Sequence, residues 1–351
     1  MSSTATLLKH PLASGTWDAA ERDAIIQVLE SDRLSMGRKV EAFEAEFARY
    51  IGTKYAVMVN SGSSANLLMV AAYTLRYGKG TVIVPAVSWA TSYSPFQQYG
   101  WRLVFVDVDD SFNIDPHEVL EAQKRYRGAI VLGVHLLGNP CQFYAFDARF
   151  DVLEDNCESL GAEYGDKKTG SLGVMGSHSF YFSHHICTME GGAITTNDRT
   201  FYEMLLSLRS HGWTRHLPEN NVLGAKVAPF EFIYPGYNVR PMEIQAAIGL
   251  TQLEKLPEIL RIRRDNARRF PLQTPREVGT SSWFAFATPK TPALEEKCET
   301  RPVVAGNFTR SPSLKYYDHV IQGSLPMANQ IHDHWCYLGN SPKPIDWSFL
   351  A

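Results

Sequence analysis

Apolar positions along this chain switch repeatedly between helical spacing and short continuous runs. Ala24, Ile25, Val28 and Leu29 recur at helical spacing behind Thr16-Trp17-Asp18, which predicts a helix over residues 19–31. Met36-Gly37 breaks it. Val40, Phe43, Phe47 and Ala48 then mark the core face of a second helix, which Gly52 ends. Strand-sized segments follow at 55–59, 81–85, 103–108, 129–134 and 150–155, with helical patterns at 67–77 and 116–126 between them. Strands alternating with helices in this way predict an α/β fold with a largely parallel sheet. Further on, the pattern predicts helices over 199–209 and 243–269. Residues 271–351 are richer in proline and carry shorter strand signals, such as 282–286, which predicts a smaller α+β part. The expected division is a large domain over 12–250 and a small one over 251–351.

Composition narrows the function. With 351 residues, 44% hydrophobic and 20% charged, the chain can enclose a sizeable core and has the balance of a soluble globular enzyme. A net charge of −3 gives no reason to expect nucleic acid or a membrane as partner, so any basic groups that meet an anionic ligand must be local. Met1 to Leu12 lacks the basic and long apolar regions of a secretory signal, and the run at 129–134 is too short to span a membrane. The cytoplasm is the expected location. Five cysteines, at 141, 157, 187, 298 and 336, are odd in number and form no C-x-C or C-x-x-C pair. That speaks against a disulfide framework and against a cysteine-built metal site.

In a parallel sheet, ligands bind at the carboxyl ends of the strands. Four segments fall there. Asn60-Ser61-Gly62-Ser63-Ser64-Ala65-Asn66 joins a strand to a helix, gathering free backbone N–H groups and a positive helix end suited to phosphate; an ordinary serine helix cap is the other reading. The Gly-Lys-Ser/Thr ending of a Walker loop is missing. Trp89, on a loop after a strand, can stack on a flat ring or cover the sheet end. Asp155 ends a buried strand and needs a partner there. A protonated ring nitrogen would serve, and a helix cap with Glu158 is the alternative. Finally, Ser183-His184-His185 is closed by Glu190-Gly191-Gly192. Paired imidazoles beside a hydroxyl, closed by glycines, suit a reaction centre; a buried strand ending in a polar turn is the competing reading.

Taken together, Asn60-Ser61-Gly62-Ser63, Pro85-x-x-Ser88-Trp89, Glu154-Asp155-x-x-Glu158, Ser179-Phe180, Glu190-Gly191-Gly192 and Gly236-Tyr237-Asn238-x-Arg240-Pro241 occur in order from about Leu12 to Gly339. This set resembles the DegT/DnrJ/EryC1/StrS sugar-nucleotide aminotransferases, which are fold-type I pyridoxal-phosphate (PLP) enzymes. The resemblance implies that Gly62, Ser63 and Ser183 bind the PLP phosphate, that Trp89 stacks on the ring and that Asp155 pairs with the ring nitrogen. Glu158 stands where the family usually carries Gln, near the ring hydroxyl. Asn238 is implied to reach the neighbouring subunit's cofactor, which makes a homodimer the expected unit.

One departure matters most. The family carries a PLP-holding lysine at the position of His184, and histidine cannot hold the cofactor covalently. The resemblance is therefore to the family's 3-dehydratase branch, with non-covalent PLP or pyridoxamine phosphate (PMP) and His184 as general base. The implied reaction removes the C3 hydroxyl from a nucleotide-linked 4-keto-6-deoxy sugar, GDP-4-keto-6-deoxy-D-mannose foremost, and L-glutamate regenerates PMP. His185 is expected to be structural, because one step along a strand turns it to the opposite face. His211 is a candidate for orienting the sugar or protonating the leaving hydroxyl. Arg215, Arg240, Arg301 and Arg310 are candidate binders of diphosphate or glutamate. Competing readings are a sugar 4-aminotransferase and an inactive PLP-fold binding protein. A 3-dehydratase with an iron–sulfur cluster is disfavoured, since clustered cysteines are missing.

Overall fold

The computed structural model describes residues 9–350. Residues 1–8, which include most of the segment read above for a leader, lie outside the described residues. The amino-terminal part runs α1 (Ala19–Glu30), α2 (Arg38–Ile51), β1 (Tyr55–Val59), α3 (Gly62–Tyr77), β2 (Thr81–Pro85), α4 (Ala90–Gln98) and β3 (Arg102–Val106). It continues through α5 (Pro116–Arg125), β4 (Ile130–Val134), β5 (Val152–Asp155), the short strands β6 (Glu163–Tyr164) and β7 (Lys167–Lys168), β8 (Met175–Ser179), β9 (Gly192–Thr196) and α6 (Arg199–Leu208). After α7 (Glu243–Arg268) come β10 (Ala285–Pro289), α8 (Pro292–Lys297), β11 (Arg301–Pro302), β12 (His319–Ile321), α9 (Pro326–His334) and β13 (Trp335–Gly339).

Eight strands form the main sheet in the order β1-β9-β8-β5-β4-β2-β3-β12. Pairing is parallel from β8 through β12, and only β9 runs against its two neighbours. Both faces are covered. Val82, Val84, Leu103 and Phe105 pack into one apolar layer, while the alternating Ile83, Val104 and Val106 pack into another. That is why these strands read as unbroken apolar runs. Each fully enclosed side chain of this kind contributes about 1.5–3 kcal/mol. A second sheet, β10-β13-β11, is antiparallel and smaller.

Several boundaries differ from expectation for identifiable reasons. The first turn of α3 begins at Gly62 rather than residue 67, because the Ser61 hydroxyl accepts the Ser64 N–H at 3.1 Å and caps it. The polar segment of α4, with Pro95 inside it, offered no apolar period to read. The strand expected at 282–286 starts at Ala285, since Trp283 takes a positive φ of 50° that no strand tolerates. His184 and His185 do not lie on a strand either. The loop from 180 to 191 is closed by Phe180 N–H to Gly191 O and Thr188 N–H to Phe180 O, both 2.9 Å. Beyond residue 250 the chain returns to the main sheet: β12 pairs with β3.

Candidate active site

The carboxyl ends of β1, β2, β4, β5 and β8 converge on a cavity of about 490 Å³. Gly62, Ser63, Trp89, Asp155, Glu158, Ser183 and His184 all line it. Asn238 and His211 do not. Among the candidate arginines only Arg301 is brought there.

One end of the cavity is built from the first turn of α3, where Ser61 Oγ takes the Ser64 N–H and the N–H groups before it have no partner within the helix. Gly62 is required by close approach. A Cβ at this position would lie 2.5 Å from Ser179 Cβ, on the neighbouring strand β8. Gly192 meets the same constraint from the other side, since its Cβ would fall 2.4 Å from the Ser61 carbonyl oxygen. Ser63 Oγ donates to Thr91 Oγ1 at 3.0 Å, which links α3 to the start of α4. Trp89, just ahead of α4, is 58% exposed at the cavity mouth. A large indole held there with so little cover has a free face for a flat ring.

Neighbouring side chains on β5 face opposite ways and do different work. Glu154 is fully buried and accepts N–H groups from Gly170, Leu172 and Gly173, while His135 Nε2 lies 2.9 Å from it. It is a structural clasp on the turn before β8. Asp155 faces the cavity. Its Oδ2 accepts from Ser92 Oγ at 2.6 Å and Asn66 Nδ2 at 2.9 Å, and its Oδ1 from Cys157 N–H at 3.2 Å. No helix follows it, so the capping alternative is not what Asp155 and Glu158 do. The Glu158 carboxylate instead accepts the Leu137 N–H at 3.0 Å. Burial, with Asp155 nearby, pushes Glu158 up to about 7.

The two histidines separate clearly. His184 lines the cavity, with Ser183 Oγ 3.4 Å from its Nδ1 and the Phe284 ring edge-on at 5.1 Å. Burial, reinforced by the Arg263 guanidinium, lowers it to about 3, so it is an uncharged imidazole at neutral pH. His185 is fully buried, off the cavity, and its Nε2 donates to Ser282 O at 3.0 Å. The turn at 180–191, and not the strand alternation expected above, sends it inward.

His211 sits in a left-handed turn (φ 64°) against Trp213, and Asn238 is exposed on the facing segment. Arg215 stacks over Trp213, Arg240 donates to Ser210 Oγ at 3.0 Å and Arg310 pairs with Asp333 at 2.7 Å. Sequence reasoning missed Asn66, Ser92, Phe284 and Tyr337, which also line the cavity. In the sequence, Asn66 reads only as the end of the Ser/Gly turn ahead of the helix. Phe284 and Tyr337 arrive from the distant carboxyl-terminal part, where no spacing announces them. Among the described residues, no group of three or more His, Cys, Asp or Glu is placed to hold a metal. No described helix is long and apolar enough to cross a membrane.

Comparison with known proteins shows the family. The GDP-4-keto-6-deoxy-D-mannose 3-dehydratase of Yersinia pseudotuberculosis is 44% identical over an alignment of 372 positions, covering 95% of this chain and 94% of its own. The E. coli GDP-4-keto-6-deoxy-D-mannose-3-dehydratase with bound hydrated PLP superposes with a TM-score of 0.91 at 42% identity, over 96% of each chain. A GDP-4-keto-6-deoxymannose-3-dehydratase structure with a trapped PLP-glutamate geminal diamine gives a TM-score of 0.91 at 41% identity, over 97% of this chain and 98% of that one. Residues 16–280 match the family profile itself, and the chain belongs to the DegT/DnrJ/EryC1/StrS aminotransferase family.

Proposed function

We propose that this protein is a PLP-dependent 3-dehydratase of nucleotide-linked 4-keto-6-deoxy sugars, with GDP-4-keto-6-deoxy-D-mannose as substrate and L-glutamate as amino donor. The observation that carries this reading is the cavity's base. His184 lines the cavity at the position where the resemblance implies a lysine in the family, and no residue lining the cavity is a lysine. The named activities of the relatives at 44% and 42% identity support the same reaction and cofactor.

The residues present fit PLP. Gly62 leaves a cradle that a single Cβ would fill, at a helix end suited to phosphate. Asn66 Oδ1 is a buried acceptor without a protein donor, in the wall beside Asp155. When bound in its amine form, the cofactor supplies the amine that meets the sugar's ketone and a ring that absorbs electrons. Gly62, Ser63 and Ser183 would hold the phosphate, Trp89 would cover the ring, and Asp155 would accept from the ring nitrogen. The resemblance places Glu158 near the ring hydroxyl, where a carboxyl held near 7 would share a proton. His184 is uncharged, and it accepts a proton at an imidazole nitrogen. It offers no amine, so it cannot displace a product the way lysine does. Loss of the C3 hydroxyl then becomes the outcome open to the site. Arg301, on the cavity rim, meets an anionic group of substrate or glutamate.

The functional unit is a homodimer in which Asn238 serves the neighbouring subunit's cofactor phosphate and His211 approaches the sugar. Both side chains lie off the chain's own cavity, and Asn238 is exposed, which supports a role across an interface. The purified protein, given GDP-4-keto-6-deoxy-D-mannose, PLP and glutamate, will release ammonia and a 3-deoxy sugar, read by coupled assay and mass spectrometry. A stable 4-amino sugar would replace this reading with transamination. No change in cofactor absorbance on adding glutamate would replace it with a binding protein.

A further inference from the structure

The carboxylate of Asp155 is held by side chains that no motif announces. It is 5% exposed, and a carboxylate so enclosed must be met by donors. Both side-chain donors go to one oxygen: Ser92 Oγ at 2.6 Å and Asn66 Nδ2 at 2.9 Å reach Oδ2. Oδ1 receives only the longer Cys157 N–H, at 3.2 Å. The Ser92 hydrogen is committed to the carboxylate, so the Ser88 hydroxyl, 2.8 Å away, must be the donor between the two serines. The Asn66 amide is oriented by the same logic. Its nitrogen faces the carboxylate, which turns Oδ1 away, and that buried oxygen has no partner.

The origin of these two donors is as informative as their geometry. Asn66 belongs to α3, whose first turn carries Gly62 and Ser63. Ser92 belongs to α4, which begins directly after Trp89. One carboxylate oxygen therefore ties together the helix of the phosphate cradle, the helix beside the ring cover and the strand that presents Asp155. Resting on the proposed PLP site, we infer that Ser92 and Asn66 are positioning residues: by saturating Oδ2 they leave Oδ1 as the oxygen presented to the cofactor's ring nitrogen. They also fix its distance from the phosphate and ring contacts, because both donors sit on the elements that make those contacts.

The test uses the full-length protein and PLP alone. Ser92→Ala and Asn66→Ala each remove one of the two side-chain donors that fix the Asp155 carboxylate; a carboxylate no longer held in place would lose its charged hydrogen bond to the ring nitrogen, which corresponds to about tenfold or more in affinity. We expect each to weaken PLP binding by about that factor in an absorbance titration. The nitrogen resonance of ring-labelled PLP should move toward its unprotonated position, and Ser92→Thr, which keeps the hydroxyl, should restore both readouts. Should the alanine variants fail to fold, Ser92→Cys and Asn66→Ser carry the same expectations. A purely structural role would lower thermal stability and leave affinity and ring resonance at wild-type values; that result overturns the inference. Wild-type protein that binds no PLP, or an Asp155→Asn variant with an unchanged ring resonance, would overturn the underlying cofactor reading instead.

Discussion

Replacing Glu158 with Gln should make the cofactor-free protein more stable at alkaline pH. Burial in the cavity wall, opposed by the Leu137 N–H and reinforced by Asp155, holds this carboxyl near 7 rather than its ordinary 4.5. The gap corresponds to about 3 kcal/mol, an upper bound because the cavity admits water. The sign follows from proton counting. Between pH 4.5 and about 7 the folded protein keeps a proton on Glu158 that the unfolded chain has lost, so the folded state binds more protons. Stability from this group is therefore full at the acid end of the window and is lost as pH rises through it. Gln has no such titration, yet its side-chain oxygen can still accept the Leu137 N–H. The advantage of Glu158→Gln over wild type should grow from about 1 kcal/mol at pH 5 to about 3 kcal/mol at pH 8. Urea denaturation at both pH values, followed by tryptophan fluorescence, measures it. An advantage that did not widen between them would refute the assignment of a proton to Glu158 near neutrality.

Other expectations follow from the same geometry. His184→Lys should attach PLP covalently, seen as a new visible absorption band, and abolish ammonia release; dehydration that persisted would mean His184 is not the base. Gly62→Ala places a Cβ 2.5 Å from Ser179 Cβ, so it should cost about 1–3 kcal/mol in thermal unfolding and weaken PLP binding. Glu44→Ala leaves the buried Arg209 guanidinium without its carboxylate, a loss of about 3–5 kcal/mol that chemical denaturation will register. Burial holds His178 at about 3 and His216 at about 4, so the unfolded chain takes up these protons first on acidification. Melting temperature should fall as pH drops from about 6.5 toward 4, and His216→Gln should lessen that fall.

The ordered motifs around Gly62, Trp89, Asp155 and His184 were legible because each combines a strand end with a residue type that packing alone does not require. The same reading missed Ser92 because α4 has no apolar period, and its serines resemble those of any polar loop. Phe284 and Tyr337 were illegible for a different reason. They reach the cavity from β10 and its surroundings and from β13, elements far from the motifs in sequence, and only folding sets that distance to zero.

His184 and His185 state the division most sharply. That a histidine, and not a lysine, stands six residues before Glu190 is a matter of residue identity and needs no coordinates. What holds His184 at the cavity, and in what charge state, is not. The loop from 180 to 191 turns His185 onto the Ser282 carbonyl and leaves His184 against Phe284, within the field of Arg263. The element that supplies Ser282 and Phe284 lies about a hundred residues downstream. Local sequence determines which groups can exchange a proton; burial and long-range charge, which exist only in the packed chain, decide which of them does.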